Sequence, residues 1–98
     1  MNKRVQSLIG LARRAGKVAS GDAQVEAMLK KRKGFLLIIA DDAQNTQKKY
    51  IAWARDIKLP VMTAGTKLEL GLSIGLSPRS AVLILDDGFA KAILLARS

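Results

Sequence analysis

The sequence predicts an α/β fold: a three-layer α/β/α sandwich in which helices cover both faces of a mostly parallel central sheet of about four strands. Three observations carry that prediction. Helical and strand-like segments alternate along the chain, Phe35–Ala40 and Ala81–Leu85 are apolar on both alternating faces, and no linker, repeat or low-complexity tract divides the 98 residues. A strand that is apolar on both faces has to be covered from both sides, as the inner strands of a parallel sheet are. Right-handed crossovers between such strands place the helices in two layers. Residues 1–98 are therefore expected to form a single domain.

The elements follow in order. Val5, Leu8, Ile9 and Ala12 recur at helical spacing over residues 2–14, and the helix stops at Ala15-Gly16, where glycine takes the left-handed cap. Lys17-Val18-Ala19 has room for a short strand only. A second helix opens near Ser20-Gly21-Asp22, buries Val25, Met28 and Leu29, and runs into Lys30-Lys31-Arg32-Lys33. Those cations complement the negative end of its dipole. After the strand at Phe35–Ala40, Asp41-Asp42 marks its end. A third helix, near residues 44–57, carries Tyr50, Trp53, Ala54 and Ile57 on one stripe. Pro60–Thr63 reads as a short edge strand entered through proline. Thr66-Lys67-Leu68-Glu69 has the spacing of a capping box and opens a helix that ends at Gly75. Ala81–Leu85 is the last strand, and Asp87–Arg97 the last helix.

Ligands of such sheets bind over the carboxyl ends of the strands. In a uniformly parallel sheet those loops are residues 19–22, 41–45, 63–66 and 86–88, with the loop at 75–80 at the other end.

Composition narrows the function. Without cysteine there is no disulfide framework, thiolate nucleophile or zinc-finger ligand set, and without histidine the commonest general base and metal ligand are missing. No apolar run is long enough to span a bilayer, and Met1-Asn2-Lys3-Arg4 is not followed by the apolar stretch of a secretory signal. A cytoplasmic location is expected. Lysine and arginine number 17 against 8 acidic residues, giving +9 and a sequence pI near 10.4. Such an excess favours a polyanionic partner, nucleic acid before an anionic membrane surface. Residues 1–49 hold eleven of the basic and four of the acidic residues, so one electropositive face is expected.

Recognition needs more than charge. With four aromatics, two of them on the stripe of the third helix, a stacking platform for single strands is not expected. What remains is the start of the second helix, where Gly21 onward presents free amides to an anion. Gln24 in its first turn carries donors and acceptors for the edge of a base.

Two motifs suggest catalysis and are set aside. Gly10 to Val18 resembles a phosphate-binding loop, but five residues separate its glycines where four are needed, and Val18 stands where Ser or Thr would hold magnesium. Gly10 is read as allowing close helix packing instead. Asp41-Asp42 and Asp86-Asp87 each follow a buried strand, a place where paired carboxylates can hold magnesium; capping of the following helices explains them without a cofactor.

Taken together, the chain resembles the kink-turn-binding ribosomal proteins of the L-seven-Ae superfamily, most closely its small bacterial YlxQ-like branch. The residues that carry the likeness are Leu11 to Val18 with Ser20-Gly21, then Ile39 to Ala43 with Asn45-Thr46 and Lys48-Lys49. Leu59-Pro60-Val61, Gly65-Thr66-Lys67 with Leu70-Gly71 and Ile74-Gly75, and Asp87 to Ala90 complete it. The resemblance implies the same three-layer fold and RNA binding, with the first turn of the second helix and nearby loops reading sheared G·A pairs in a bent RNA. The family's G-x-N-E-x-x-K pattern falls on Gly21, Ala23, Gln24 and Ala27: the glycine matches, Gln24 takes the Glu position, and alanines replace Asn and Lys. The family's base-contacting loop falls on Leu76 to Ser80.

The expected function is therefore that of a non-enzymatic RNA-binding protein, ribosomal or ribosome-associated. It would act as a monomer, without metal or cofactor, on ribosomal RNA or another kink-turn RNA, with ribosomal proteins as possible partners. Gly21 would admit the RNA backbone, Gln24 would contact a base edge, and Arg13, Arg14, Lys17 and Lys48 would contact phosphates. The rival is a protein-interaction module on the same fold that has lost specific RNA recognition.

Overall fold

Asn2 opens the first helix: its side chain accepts from the Val5 amide at 2.7 Å, while its amide nitrogen donates to the Ala96 carbonyl at 2.8 Å. The computed structural model, which describes residues 1–97, then runs α1 (Lys3–Arg14), β1 (Val18–Ser20), α2 (Asp22–Lys30), β2 (Leu36–Ile39), α3 (Gln44–Asp56), β3 (Val61–Thr63), α4 (Lys67–Ser73), β4 (Ala81–Ile84) and α5 (Asp87–Ala96). Gly16 takes the left-handed conformation at φ 72° just past α1, as expected. Every residue of β2 and β4 is buried, which is what their two apolar faces require. None of the described helices is long and apolar enough to cross a membrane.

The strand order is β1-β4-β2-β3. β2 and β3 are parallel, with Leu37 opposite Val61, but β4 runs antiparallel to both β1 and β2. The sheet is thus mixed, and the expectation of a mostly parallel one is corrected at β4. The reason is the length of α4. Seven residues rise only about 10 Å, and the chain then folds back beside the helix, so that the Arg79 amide reaches the Lys67 carbonyl at 3.0 Å. The chain enters β4 from the end where it left β3.

That reversal rearranges the ends of the sheet. The loop at 74–80 joins residues 20–22, 40–43 and 64–66 at one end, and Asp86-Asp87 goes to the other. The two aspartate pairs therefore cannot converge on one ion. Asp86 does cap the helix that follows it, accepting from the Phe89 amide at 2.9 Å. Asp42 instead accepts from the Lys67 amide at 2.9 Å, capping α4 rather than α3.

The helices form two groups. α1 packs on α4 and α5, and a Cβ on Gly10 would lie 3.2 Å from the Ser73 carbonyl oxygen, so glycine there does permit close helix approach. α2 and α3 are joined by Tyr50, fully buried, whose hydroxyl lies 3.4 Å from Asp22 Oδ1, and by Lys49 with Glu26 at 3.1 Å.

The capping box at α4 is complete: Glu69 N–H donates to Thr66 Oγ1 at 3.1 Å, and Glu69 Oε1 accepts from the Thr66 amide at 3.0 Å. Glu69 Oε2 also accepts from the Met1 ammonium at 3.0 Å. That ammonium, then the Thr66 amide, holds the Glu69 carboxyl below its ordinary range. A carboxylate depressed in the folded state stabilises above its unfolded pKa, and the contribution is lost as pH falls through the folded value. Glu69→Gln is therefore expected to melt below the parent near pH 7, with the gap closing under acid conditions below the carboxylate range. Melting curves at the two pH values check this; an equal gap at both would remove the charge from the explanation.

Candidate functional site

The start of α2 is open. Its N-cap, Gly21, has no side chain to offer the first amides, and the first helical bond runs from Val25 N–H to Gly21 O at 3.0 Å. The amides of Asp22, Ala23 and Gln24 thus precede the ladder. Gly21 sits at φ 85° and ψ 144°, a conformation that side chains rarely adopt, and a Cβ there would meet nothing within 4 Å. Glycine is demanded here by the backbone and not by packing. The space beside it faces outward.

Gln24 closes the turn in place of a capping residue. Its Oε1 accepts from the Ser20 amide at 3.0 Å. Because a backbone N–H needs an acceptor, that bond fixes which way the carboxamide points and leaves the two Nε2 donors outward on an exposed residue. Behind the turn, Tyr50 buttresses Asp22. Burial first, then the negative charges of Asp22 and Glu26, push the Tyr50 hydroxyl far above its ordinary range, so it remains a donor at any physiological pH.

Facing the turn is the loop before β4. Ser20, Gly21 and Asp22 line one side of a shallow groove of about 270 Å³, and Pro78, Arg79, Ser80 and Ala81 line the other. The Arg79 guanidinium is committed to its own loop, donating to Ser77 O at 3.0 Å, Ser77 Oγ at 2.7 Å and Pro78 O at 3.2 Å. Gly71 lets that loop pack directly on α4, since a Cβ there would lie 2.1 Å from the Ser77 carbonyl oxygen. The antiparallel course of β4 is what brings this loop to Gly21.

Of the residues singled out from sequence, the structure brings Gly21 and Gln24 together; Lys48 is exposed in the second turn of α3, whose Lys49 and Tyr50 make the contacts to α2. The structure separates Arg13, Arg14 and Lys17 from Gly21 and Gln24. These three lie at the end of α1 and the start of β1, about 13 Å along the strand from Gly21 at ~3.3 Å per residue. The expectation that they gather around the opening turn of α2 is corrected: α1 runs antiparallel to β1, so its last turn is carried to the other end of the sheet. Arg13, Arg14 and Lys17 instead share that end with Lys30, Lys31, Arg32 and Lys33, around the closing turn of α2. The charge near the opening turn is mixed, with Arg79 and Lys48 set against Asp22, Asp41 and Asp42.

Sequence reasoning missed two things here. The bond from Ser20 to Gln24 had a legible signal, because a Gln three residues past a helix N-cap is the partner position of a capping box. The exposed Phe35 had none, since it reads as the first residue of a buried run.

Comparison with known proteins gives a consistent picture. The profile of the family described as "Ribosomal protein L7Ae/L30e/S12e/Gadd45 family" matches residues 3–94. The RNA-binding protein YlxQ of Bacillus subtilis is 35% identical over 88 residues, covering 89% of this chain and 88% of that protein. The RNA-binding protein YlxQ of Enterococcus faecium is 34% identical over 90 residues, covering 91% and 86%. A solved structure of a protein of unknown function from Bacillus halodurans C superposes with a TM-score of 0.90 at 29% identity, covering 96% of each chain.

Proposed function

Because the chain belongs to the ribosomal protein L7Ae/L30e/S12e/Gadd45 family, we propose that it is a non-enzymatic RNA-binding protein. Its single domain, residues 1–98, recognises a bent, kink-turn-like RNA, ribosomal RNA being the first candidate, and acts as a monomer in the cytoplasm. One observation carries the reading: the uncapped start of α2, with Gln24 held donor-outward, lies directly across a groove from the loop before β4.

Each part has a role in this reading. Gly21 leaves room for the RNA backbone to approach the free amides of the first turn. Gln24 Nε2 donates to a base edge, its geometry fixed in advance by the bond to Ser20. Lys48 contacts a phosphate from α3. Arg13, Arg14 and Lys17, at the other end, contact phosphates of a flanking stem instead of the bend itself. Ala23 and Ala27, at the family's Asn and Lys positions, supply no polar contact, so more of the selectivity rests on Gln24 than in relatives that keep both.

The test is a titration against a kink-turn RNA and a plain duplex of equal length, at low and moderate salt. Preference for the kink-turn is expected, and Gln24→Ala should weaken it by ~1–3 kcal/mol. A thermal melt of the same variant separates this from loss of the Ser20 bond, which lowers stability alone. Equal, strongly salt-dependent binding to both RNAs would reduce the protein to a nonspecific basic surface. Absence of binding at low salt would favour the protein-interaction module, for which exposed Leu11 and Leu72 offer apolar surface between α1 and α4.

A further inference from the structure

The closing turn of α2 ends on a cation in the left-handed conformation, as α3 does at Lys58. Lys33 N–H donates to Met28 O at 3.0 Å and Arg32 N–H to Leu29 O at 2.9 Å, the two bonds that finish a helix on a left-handed residue. That residue is Arg32, at φ 54°. Glycine usually fills the position because a Cβ is disfavoured there. Gly34 follows at φ 110° with its Cα pressed on the buried strand, where a Cβ would fall 2.6 Å from Leu83 Cδ1. The chain is thereby turned flat against the sheet and sets Phe35 at the rim, 45% exposed.

Between this turn and the start of β1 lies an open groove of about 470 Å³, lined by Lys17, Met28, Arg32, Lys33, Phe35 and Leu85 together with two glycines. Its charged side chains are all cationic. The nearest carboxylate in sequence, Asp86, is occupied by the Phe89 amide at 2.9 Å.

We propose that this groove is a second RNA-contacting site, which takes one unpaired nucleotide with its base against Phe35 and Met28 and its phosphates on Lys17, Arg32 and Lys33. The volume is that of a small-ligand cleft. An exposed phenyl ring offers a face to any base, and a thioether adapts to its outline. Cations without an acidic neighbour in the groove match the phosphates on either side. Complementing the helix dipole explains Lys30 and Lys31, but it does not explain a phenylalanine left half in water. An acidic peptide would satisfy the cations and leave that apolar floor unused, and a continuous duplex has no free base to offer. The site goes beyond the function proposed above: of the residues given a role there it shares Lys17 alone, and it does not involve Gln24.

The experiment is a titration of isotope-labelled protein with single-stranded hexa-adenylate RNA, followed by amide chemical shifts. Shifts at Gly16, Lys17 and Arg32 to Phe35 are expected. Phe35→Ala should weaken binding by roughly 5- to 150-fold, the range for loss of one stacked base, whereas Phe35→Trp should preserve it. Arg32→Gly should hold or raise the melting temperature while weakening binding, a split that a purely structural role could not produce. Gln24→Ala should leave this titration unchanged, so that the two sites fail separately. Shifts confined to Gly21–Gln24 and Arg79–Ser80, an unaffected Phe35→Ala, or equal binding of a hexaglutamate peptide would each overturn the proposal.

Discussion

Gly71→Ala is expected to lower the melting temperature by roughly 5–15 °C and to disable the groove at the start of α2. Alanine in a helix interior ordinarily stabilises by about 1 kcal/mol relative to glycine. Here the added methyl carbon would stand 2.1 Å from the Ser77 carbonyl oxygen, 2.6 Å from its carbon and 2.9 Å from the Leu76 oxygen. All three are backbone atoms, so no rotamer change relieves the overlap. Overpacking of this kind costs about 1–3 kcal/mol and sometimes more, and in a domain of this size each net kcal/mol moves the midpoint by roughly 4–8 °C. The same displacement pulls Arg79 and Ser80 from their places opposite Gly21. Kink-turn affinity should therefore fall even at temperatures where the variant is folded. Gly75→Ala is the control: unlike helical Gly71 it sits at positive φ, 71°, but a Cβ there meets nothing within 4 Å, and the change should cost about 1 kcal/mol with the groove intact. Calorimetry on the two variants decides the matter, and equal melting temperatures would refute the steric argument.

Gly71 also shows where sequence reading reached its limit. Local signals gave the elements faithfully. Thr66 and Glu69 announced a capping box that both bonds complete, Gly16 announced a left-handed stop, and the runs around Leu36–Ile39 and Ala81–Ile84 announced strands buried on both faces. None of these signals carries direction. A stretch apolar on both faces reads the same forwards and backwards, so the antiparallel course of β4 was not legible in Ala81–Ile84 itself. It is set by the shortness of α4 and by the return of the chain beside it, which depends on a glycine whose role is invisible until Ser77 is in place. The consequence for function was large. Gly21 and Gln24 were legible because a helix start has local chemistry, and their partner loop was legible only through resemblance to a family. The placing of the cations was not legible at all. Arg13, Arg14 and Lys17 are near Gly21 in sequence, yet a three-residue strand is long enough to put them at the other end of the sheet.

That displacement of charge leads to the other large effect. Replacing Lys30, Lys31, Arg32 and Lys33 together by glutamine is expected to weaken binding of any RNA by two to three orders of magnitude near 50 mM salt. Each phosphate contact contributes ~0.7–0.9 to the slope of log affinity against log salt, roughly a tenfold gain at 50 mM relative to 1 M. Two or three contacts among the four side chains thus give the predicted loss, and the slope should flatten by about 2. A matched variant removes the same number of cations from elsewhere: Lys3→Gln, Arg4→Gln, Lys67→Gln and Arg97→Gln. Both fall equally in net charge from +9, so any bulk attraction weakens alike. Only the first empties the end of the sheet where Arg13, Arg14 and Lys17 also collect, and where Asp86 is occupied as a cap and Asp87 is paired with Lys91 at 3.0 Å. The matched set should therefore lose far less affinity and keep most of the slope. Fluorescence polarisation at four or five salt concentrations measures both quantities. Identical losses in the two variants would mean that the protein attracts RNA by its total charge, and that the concentration of cations at the closing turn of α2 serves the helix alone.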